Sequence, residues 1–127
     1  MRAFASAGAV CEVARTERAG HAAEIAGERG RYYDMVFSLG GDGTAMEVAG
    51  ALAWSGIPIG VLAGGTGNLL GRALGIPRSV TKAVPLLLAG HVRQIDLGVV
   101  QGHRFAVAAG VGIDAAMVEE TPQWMKR

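Results

Sequence analysis

The spacing of apolar and polar residues changes period several times along the chain, and each change predicts an element. Residues 10–16 (VCEVART) mix β-branched and polar side chains and predict a short strand. Residues 19–30 carry helix formers, with Ala22, Ile25 and Ala26 on one face and Gly30 as a stop. The run 34–39 (DMVFSL) is short, apolar and bounded by turn signals, the pattern of a buried parallel strand. A helix is predicted over 44–53, with Met46, Ala49 and Ala53 at helical spacing, followed by a strand over 57–62. A short helix to about Leu74 comes next. Another runs from Pro77 and Ser79 through Leu88, with Pro85 inside it as an expected kink. Residues 92–100 and 103–109 read as two strands around Gln101-Gly102, a hairpin signal.

Strand and helix thus alternate over the first two-thirds, which predicts an α/β fold. Its parallel, Rossmann-like sheet would carry helices on both faces. The last third predicts the start of an antiparallel β domain. The expected division is an α/β nucleotide-binding domain over 1–91 and the beginning of a β-sandwich over 92–127.

Composition narrows the class. Half of the 127 residues are hydrophobic and 18% are charged, which excludes a disordered chain. Gly supplies 20 residues in clusters and not at every third position, which excludes collagen. The formal net charge is +1, so no long-range basic field marks a nucleic-acid partner. Cys11 stands alone, which leaves no internal disulfide and favours a reducing, cytoplasmic setting. No charge occurs between Glu47 and Arg72. Ser55, Pro58, Thr66, Asn68 and several glycines interrupt that stretch, so it reads as a buried core and not a bilayer span.

Chemistry concentrates in two glycine loops. Gly40-Gly41-Asp42-Gly43-Thr44 lies between a buried strand and a helix, where ligands of parallel α/β sheets bind. Glycines let several backbone N–H groups face one anion, and the next helix points its positive end at the same place. Asp42 is out of place beside phosphates alone, since each such charge pair costs about 4 kcal/mol at an effective dielectric near 20. It fits if Mg²⁺ or its waters lie between them. A tight turn with Asp42 as a helix cap is the competing reading. Gly64-Gly65-Thr66-Gly67-Asn68 repeats the design after the next strand, with a polar cap as its alternative. Other polar residues carry weaker signals. His21, His91 and His103 are scattered. Trp54 is expected to be a buried anchor and Trp124 a tail contact. Arg15, Arg18, Arg29 and Arg31 could meet anionic headgroups or simply solvent.

Taken together, GGDGT at Gly40–Thr44, Glu47-Val48, GTGN at Gly65–Asn68 and Asp96-Leu97-Gly98 resemble the diacylglycerol kinase catalytic family, which includes bacterial lipid kinases and sphingosine and ceramide kinases. The resemblance runs from about Val10 to Asp114, where GVGID also fits. GGDGT alone is shared with NAD kinases, and GTGN favours the lipid branch. The resemblance implies an ATP-dependent, Mg²⁺-assisted transfer of the γ-phosphate to a lipid hydroxyl. It implies nucleotide contacts at Thr16, Gly40, Gly41, Asp42, Gly43, Thr44, Ala45, Met46, Glu47, Thr66 and Asn68. Asp42 would be the catalytic residue, organising Mg²⁺ through water with no direct metal ligand. Met46 replaces an Asn common in the family, and Ala63 a common Pro. The family opens with a strand and an Asn-Pro turn and carries its general base in a second domain. The chain is expected to lack the first and to leave the second incomplete. Two alternatives stay open: a kinase of a soluble acceptor like the NAD kinases, and a non-catalytic nucleotide-binding module. A peripheral membrane contact and self-association through the hairpin edge also stay open.

Overall fold

The computed structural model describes residues 1–106. Helix α1 (Arg2–Ser6) comes first, then α2 (His21–Arg29) running into a 3₁₀ turn at Gly30–Tyr32. Strand β1 (Val36–Gly40), α3 (Asp42–Ala51) and β2 (Ile59–Ala63) follow as a βαβ unit. Helices α4 (Leu69–Ala73) and α5 (Val80–Leu88) lead to a hairpin of β3 (Gly98–Val100) and β4 (His103–Phe105).

β1 and β2 pair in parallel, with Val36 opposite Ile59 and Gly40 opposite Ala63. Side chains alternate across the two strands, so each face has its own core. On one face Val36 and Ile59 pack with Ala22, Ala26, Val48 and Leu52 of the α2–α3 layer. Val61 packs there with Ala45 and Leu70. On the other face Phe37 and Leu62 pack with Phe4 of α1 and with Ala83 and Val84 of α5. Phe4 and Phe37 meet edge to face, 4.8 Å between centroids at 84°. The Phe37 ring occupies the place where a side chain on Gly60 would begin. Burying a side chain such as Leu62 contributes about 1.5–3 kcal/mol. The fold is thus α/β, with helices on both faces of a parallel sheet.

Several expectations are corrected. Residues 10–16 form no strand among the described residues. β-branched composition favours extended backbone, but a strand exists only with a ladder partner, and side chains hold this segment instead. Cys11 packs against the Phe4 core. Glu12 bonds Arg29 and the Tyr33 hydroxyl. Helix α3 starts two residues before the expected Thr44 and turns Ala45 and Val48 inward, with Leu52 just beyond its end, in place of Met46, Ala49 and Ala53. That phase buries Val48 and Leu52 against Val36 and Ile59 and leaves Met46 half-buried at the edge of the layer. Trp54 is 98% exposed with φ 67°, because Leu52 already fills the core position and the turn sends the indole outward. The hairpin is shorter than predicted, and residues 92–97 are outside any strand. Helix α1 was not anticipated. Its five residues depend on burying Phe4, which helical spacing over so short a run does not reveal. α5 passes through Pro85 as one helix. The readings for 107–127, including the glycine-rich turn before Asp114 and the contact of Trp124, lie outside the described residues. No helix among the described residues is long and apolar enough to cross a membrane.

Candidate phosphate-facing site

Both glycine loops leave the carboxyl ends of the paired strands, so the sheet itself brings them together. The Gly64 N–H donates to the Gly40 carbonyl at 2.9 Å and extends the ladder by one step. Beyond it the loops touch backbone to backbone. A Cβ on Gly65 would stand 2.6 Å from Gly41 Cα, and one on Gly64 would stand 3.0 Å from Gly40 N. Only glycine permits this approach. A Cβ on Gly40 would in turn strike the Thr44 side chain, with Oγ1 2.7 Å away. Thr44 therefore folds back over Gly40.

Asp42 joins the loops a second time. It is the first residue of α3, and its Oδ1 accepts from the Leu70 N–H in the first turn of α4 at 3.0 Å. A Cβ on Gly67 would lie 3.3 Å from its Oδ2. Asn68 shapes the second loop from within. It is 4% exposed and left-handed at φ 49°, its Oδ1 accepts from Gly65 N–H at 2.9 Å, and its Nδ2 donates to the Gly65 carbonyl. Asn tolerates this backbone better than most residues.

The backbone donors of the loops divide in two groups. Those of Gly64, Gly65 and Leu70 are spent on Gly40, Asn68 and Asp42. Those of Gly41, Asp42, Gly43 and Thr44 at the start of α3, and of Thr66 and Gly67, meet no acceptor among the described residues. The first N–H groups of a helix have no partner within it, and they add their dipole to the place they face.

The remaining predicted residues fall around this centre. Ala45 is buried against Val61 and Leu70, Met46 packs on the same cluster, and Thr66 is exposed. Glu47 turns away from the loops. Its two carboxylate oxygens accept from Gly20 N–H at 2.9 Å and Ala22 N–H at 3.2 Å, capping α2 from α3. Thr16 is exposed, and no hydrogen bond ties it to either loop. The residues that reasoning from sequence missed are Gly20, Ala22 and Leu70, whose backbone groups hold Glu47 and Asp42. Side-chain type gives no sign of such partners. Ser38 of β1 is 3% exposed, and its hydroxyl has no partner. No group of three His, Cys, Asp or Glu side chains able to hold a metal lies together among the described residues. A divalent cation here would meet one carboxylate, that of Asp42, with one oxygen already bonded.

A parallel α/β unit with paired glycine loops and open amides at its carboxyl edge defines a class of anion-facing sites. The family model for the diacylglycerol kinase catalytic domain matches residues 1–100, and the chain belongs to that family. A diacylglycerol kinase of Bacillus subtilis is 37% identical over 130 residues, covering 99% of this chain and 43% of that protein. One from Staphylococcus saprophyticus is 32% identical over 114 residues, covering 87% and 37%. The crystal structure of a diacylglycerol kinase from Bacillus anthracis superposes with a TM-score of 0.71 at 30% identity, covering 83% of this chain and 39% of that one. The chain therefore spans less than half the length of these relatives.

Proposed function

We propose that the chain is the nucleotide-binding part of an ATP-dependent lipid kinase that transfers a γ-phosphate to a lipid hydroxyl. The observation that carries this reading is the abutment of the two glycine loops with open N–H groups beside it. Phosphoryl transfer rests on positioning and charge neutralisation, and backbone donors fixed in one place supply both. In this reading the amides of Gly41–Thr44 hold phosphate oxygens. The hydroxyls of Thr44 and Thr66 add donors, and Asp42 meets Mg²⁺ through water. Ala45 and Met46 act through backbone alone. Thr16 contacts the nucleotide away from the phosphates. Asn68 and Glu47 act indirectly: Asn68 fixes the second loop, and Glu47 fixes α3 against α2. Residues 1–91 make up the α/β domain, and the hairpin begins a second, antiparallel one. Family membership supports the lipid acceptor over a soluble one.

Asp42→Asn tests the reading, because the amide oxygen still accepts from Leu70 while the charge is lost. Calorimetric titration should show ATP–Mg²⁺ binding to the parent chain and its loss in the variant at an unchanged melting temperature. Equal binding by both would overturn the role of Asp42. Supplying diacylglycerol and NAD side by side to a chain extended to the relatives' length decides the acceptor.

A further inference from the structure

The outer edge of β1 is open, and a second stretch of chain runs beside it. β1 pairs with β2 alone among the described residues. In a parallel ladder, alternate residues turn their backbone groups to the same side. The Val36 N–H donates to the Pro58 carbonyl, and the Gly40 carbonyl accepts from the Gly64 N–H, so Val36, Ser38 and Gly40 face β2. Phe37 and Leu39 therefore turn N–H and C=O the other way, where no backbone partner meets them among the described residues. Residues 9–17 run without helix, turn or bend, and no backbone group of 10–16 bonds another backbone group. Side chains moor this segment. Cys11 packs on the cluster that holds Phe37, and Glu12 reaches the Tyr33 hydroxyl just ahead of β1. At the far end, the Gly20 N–H is held by Glu47 of α3, the helix that leaves the carboxyl end of β1. The segment thus runs parallel to β1. It leads into α2, which flanks α3, whereas α4 and α5 flank β2, so it lies beyond β1 on the side away from β2. Glu12 and Tyr33 meet only at their tips, so the two backbones stand apart by the reach of two side chains. Apolar groups line the opening: Leu39 is 62% exposed, Val13 60%, and Val10 fully.

A strand lying between two others in a parallel sheet is buried on both faces, and its residues are near-continuously apolar and β-branched. We propose that the gap between residues 10–16 and β1 is a binding site for one such strand from outside this chain. It enters parallel to β1 and bonds Phe37 and Leu39 on one side and residues 10–16 on the other. Main-chain bonds give affinity in sites of this kind, and alternate side chains give selectivity. The inference goes beyond the kinase reading, and its test uses no nucleotide, so either can fail alone. The probe is the peptide acetyl-Lys-Thr-Val-Ile-Val-Val-Lys-amide, and its control carries proline in place of isoleucine. Amide exchange followed by NMR should find Phe37 and Leu39 fast in the chain alone and about 100-fold slower with peptide at 100 times Kd. The control should leave both fast. Neighbouring strand residues point their N–H groups to opposite sides, so of Val13→Pro and Ala14→Pro one should weaken peptide binding about fivefold and the other should not. Far-UV circular dichroism checks that both variants fold. Phe37 and Leu39 amides unmoved by the peptide, equal slowing by the control, or equal peptide affinity in the two proline variants would each overturn the proposal. So would a dimer in gel filtration whose Phe37 and Leu39 amides are slow before peptide is added, since a second copy then fills the gap.

Discussion

Replacing Gly65 with alanine isolates the contact on which the paired loops depend. Gly65 has no left-handed φ, so the methyl acts through space alone. It would stand 2.6 Å from Gly41 Cα and 3.1 Å from Gly41 N, and both neighbours are backbone that no side-chain rotation can move. Ordinary carbon contacts lie at about 3.5–4.0 Å, so the loops must part by about 1 Å. Overpacking of this kind costs about 1–3 kcal/mol. For a domain near this size that lowers Tm by about 4–12 °C. Parting the loops also moves the Gly41–Thr44 donors away from Thr66 and Gly67, so the chain should bind ATP–Mg²⁺ more weakly. Scanning calorimetry and titration with ATP–Mg²⁺ measure the two effects separately. A Gly65→Ala chain that melts and titrates like the parent would refute the reasoning.

Four further outcomes are expected. Gly43 and Gly50 both lie in α3 with open space where a Cβ would go, so alanine at either should stabilise by up to about 1 kcal/mol. Only Gly43→Ala should weaken ATP–Mg²⁺ binding, and identical titrations would remove Gly43 from the site. Glu47→Ala leaves the Gly20 and Ala22 N–H groups uncapped and should cost about 1–2 kcal/mol in urea unfolding; an unshifted midpoint would contradict the capping role. Ser38→Ala removes a buried hydroxyl without a partner and should leave stability unchanged or raise it by about 1 kcal/mol, whereas a clear loss would reveal a bound partner. The Tyr33 hydroxyl and Arg29 hold the Glu12 carboxyl below its ordinary range. Its folded pKa is depressed, so its contribution is full above about pH 4.3 and fades as pH falls through the folded value. Glu12→Gln should flatten the urea-midpoint profile below about pH 5, and an unaltered slope would count against this tie.

The sheet was legible because buried parallel strands announce themselves. The run at Val36–Leu39 and its twin at Ile59–Ala63 are short, largely apolar and followed at once by a glycine doublet. The same doublets, Gly40-Gly41 and Gly64-Gly65, located the candidate site, since steric need for glycine survives translation into sequence. What stayed hidden depends on partners far along the chain. Residues 10–16 have strand composition, yet composition does not say what pairs with them. Glu47 looked like a loop carboxylate because the N–H groups that claim it lie 25 and 27 residues earlier. Trp54 looked like a core residue by size alone, and the choice between it and Leu52 was made by where α3 stops.

The βαβ geometry also says where this chain can be cut and spliced. The glycine corners are clamped by strand pairing and by Asp42, and not by the connection from α3 to β2. That connection, through Trp54, Ser55 and Gly56, is exposed and sits at the far end of parallel strands. A reporter domain inserted between Ser55 and Gly56 would hang from the bottom of the sheet and leave the cradle above it intact.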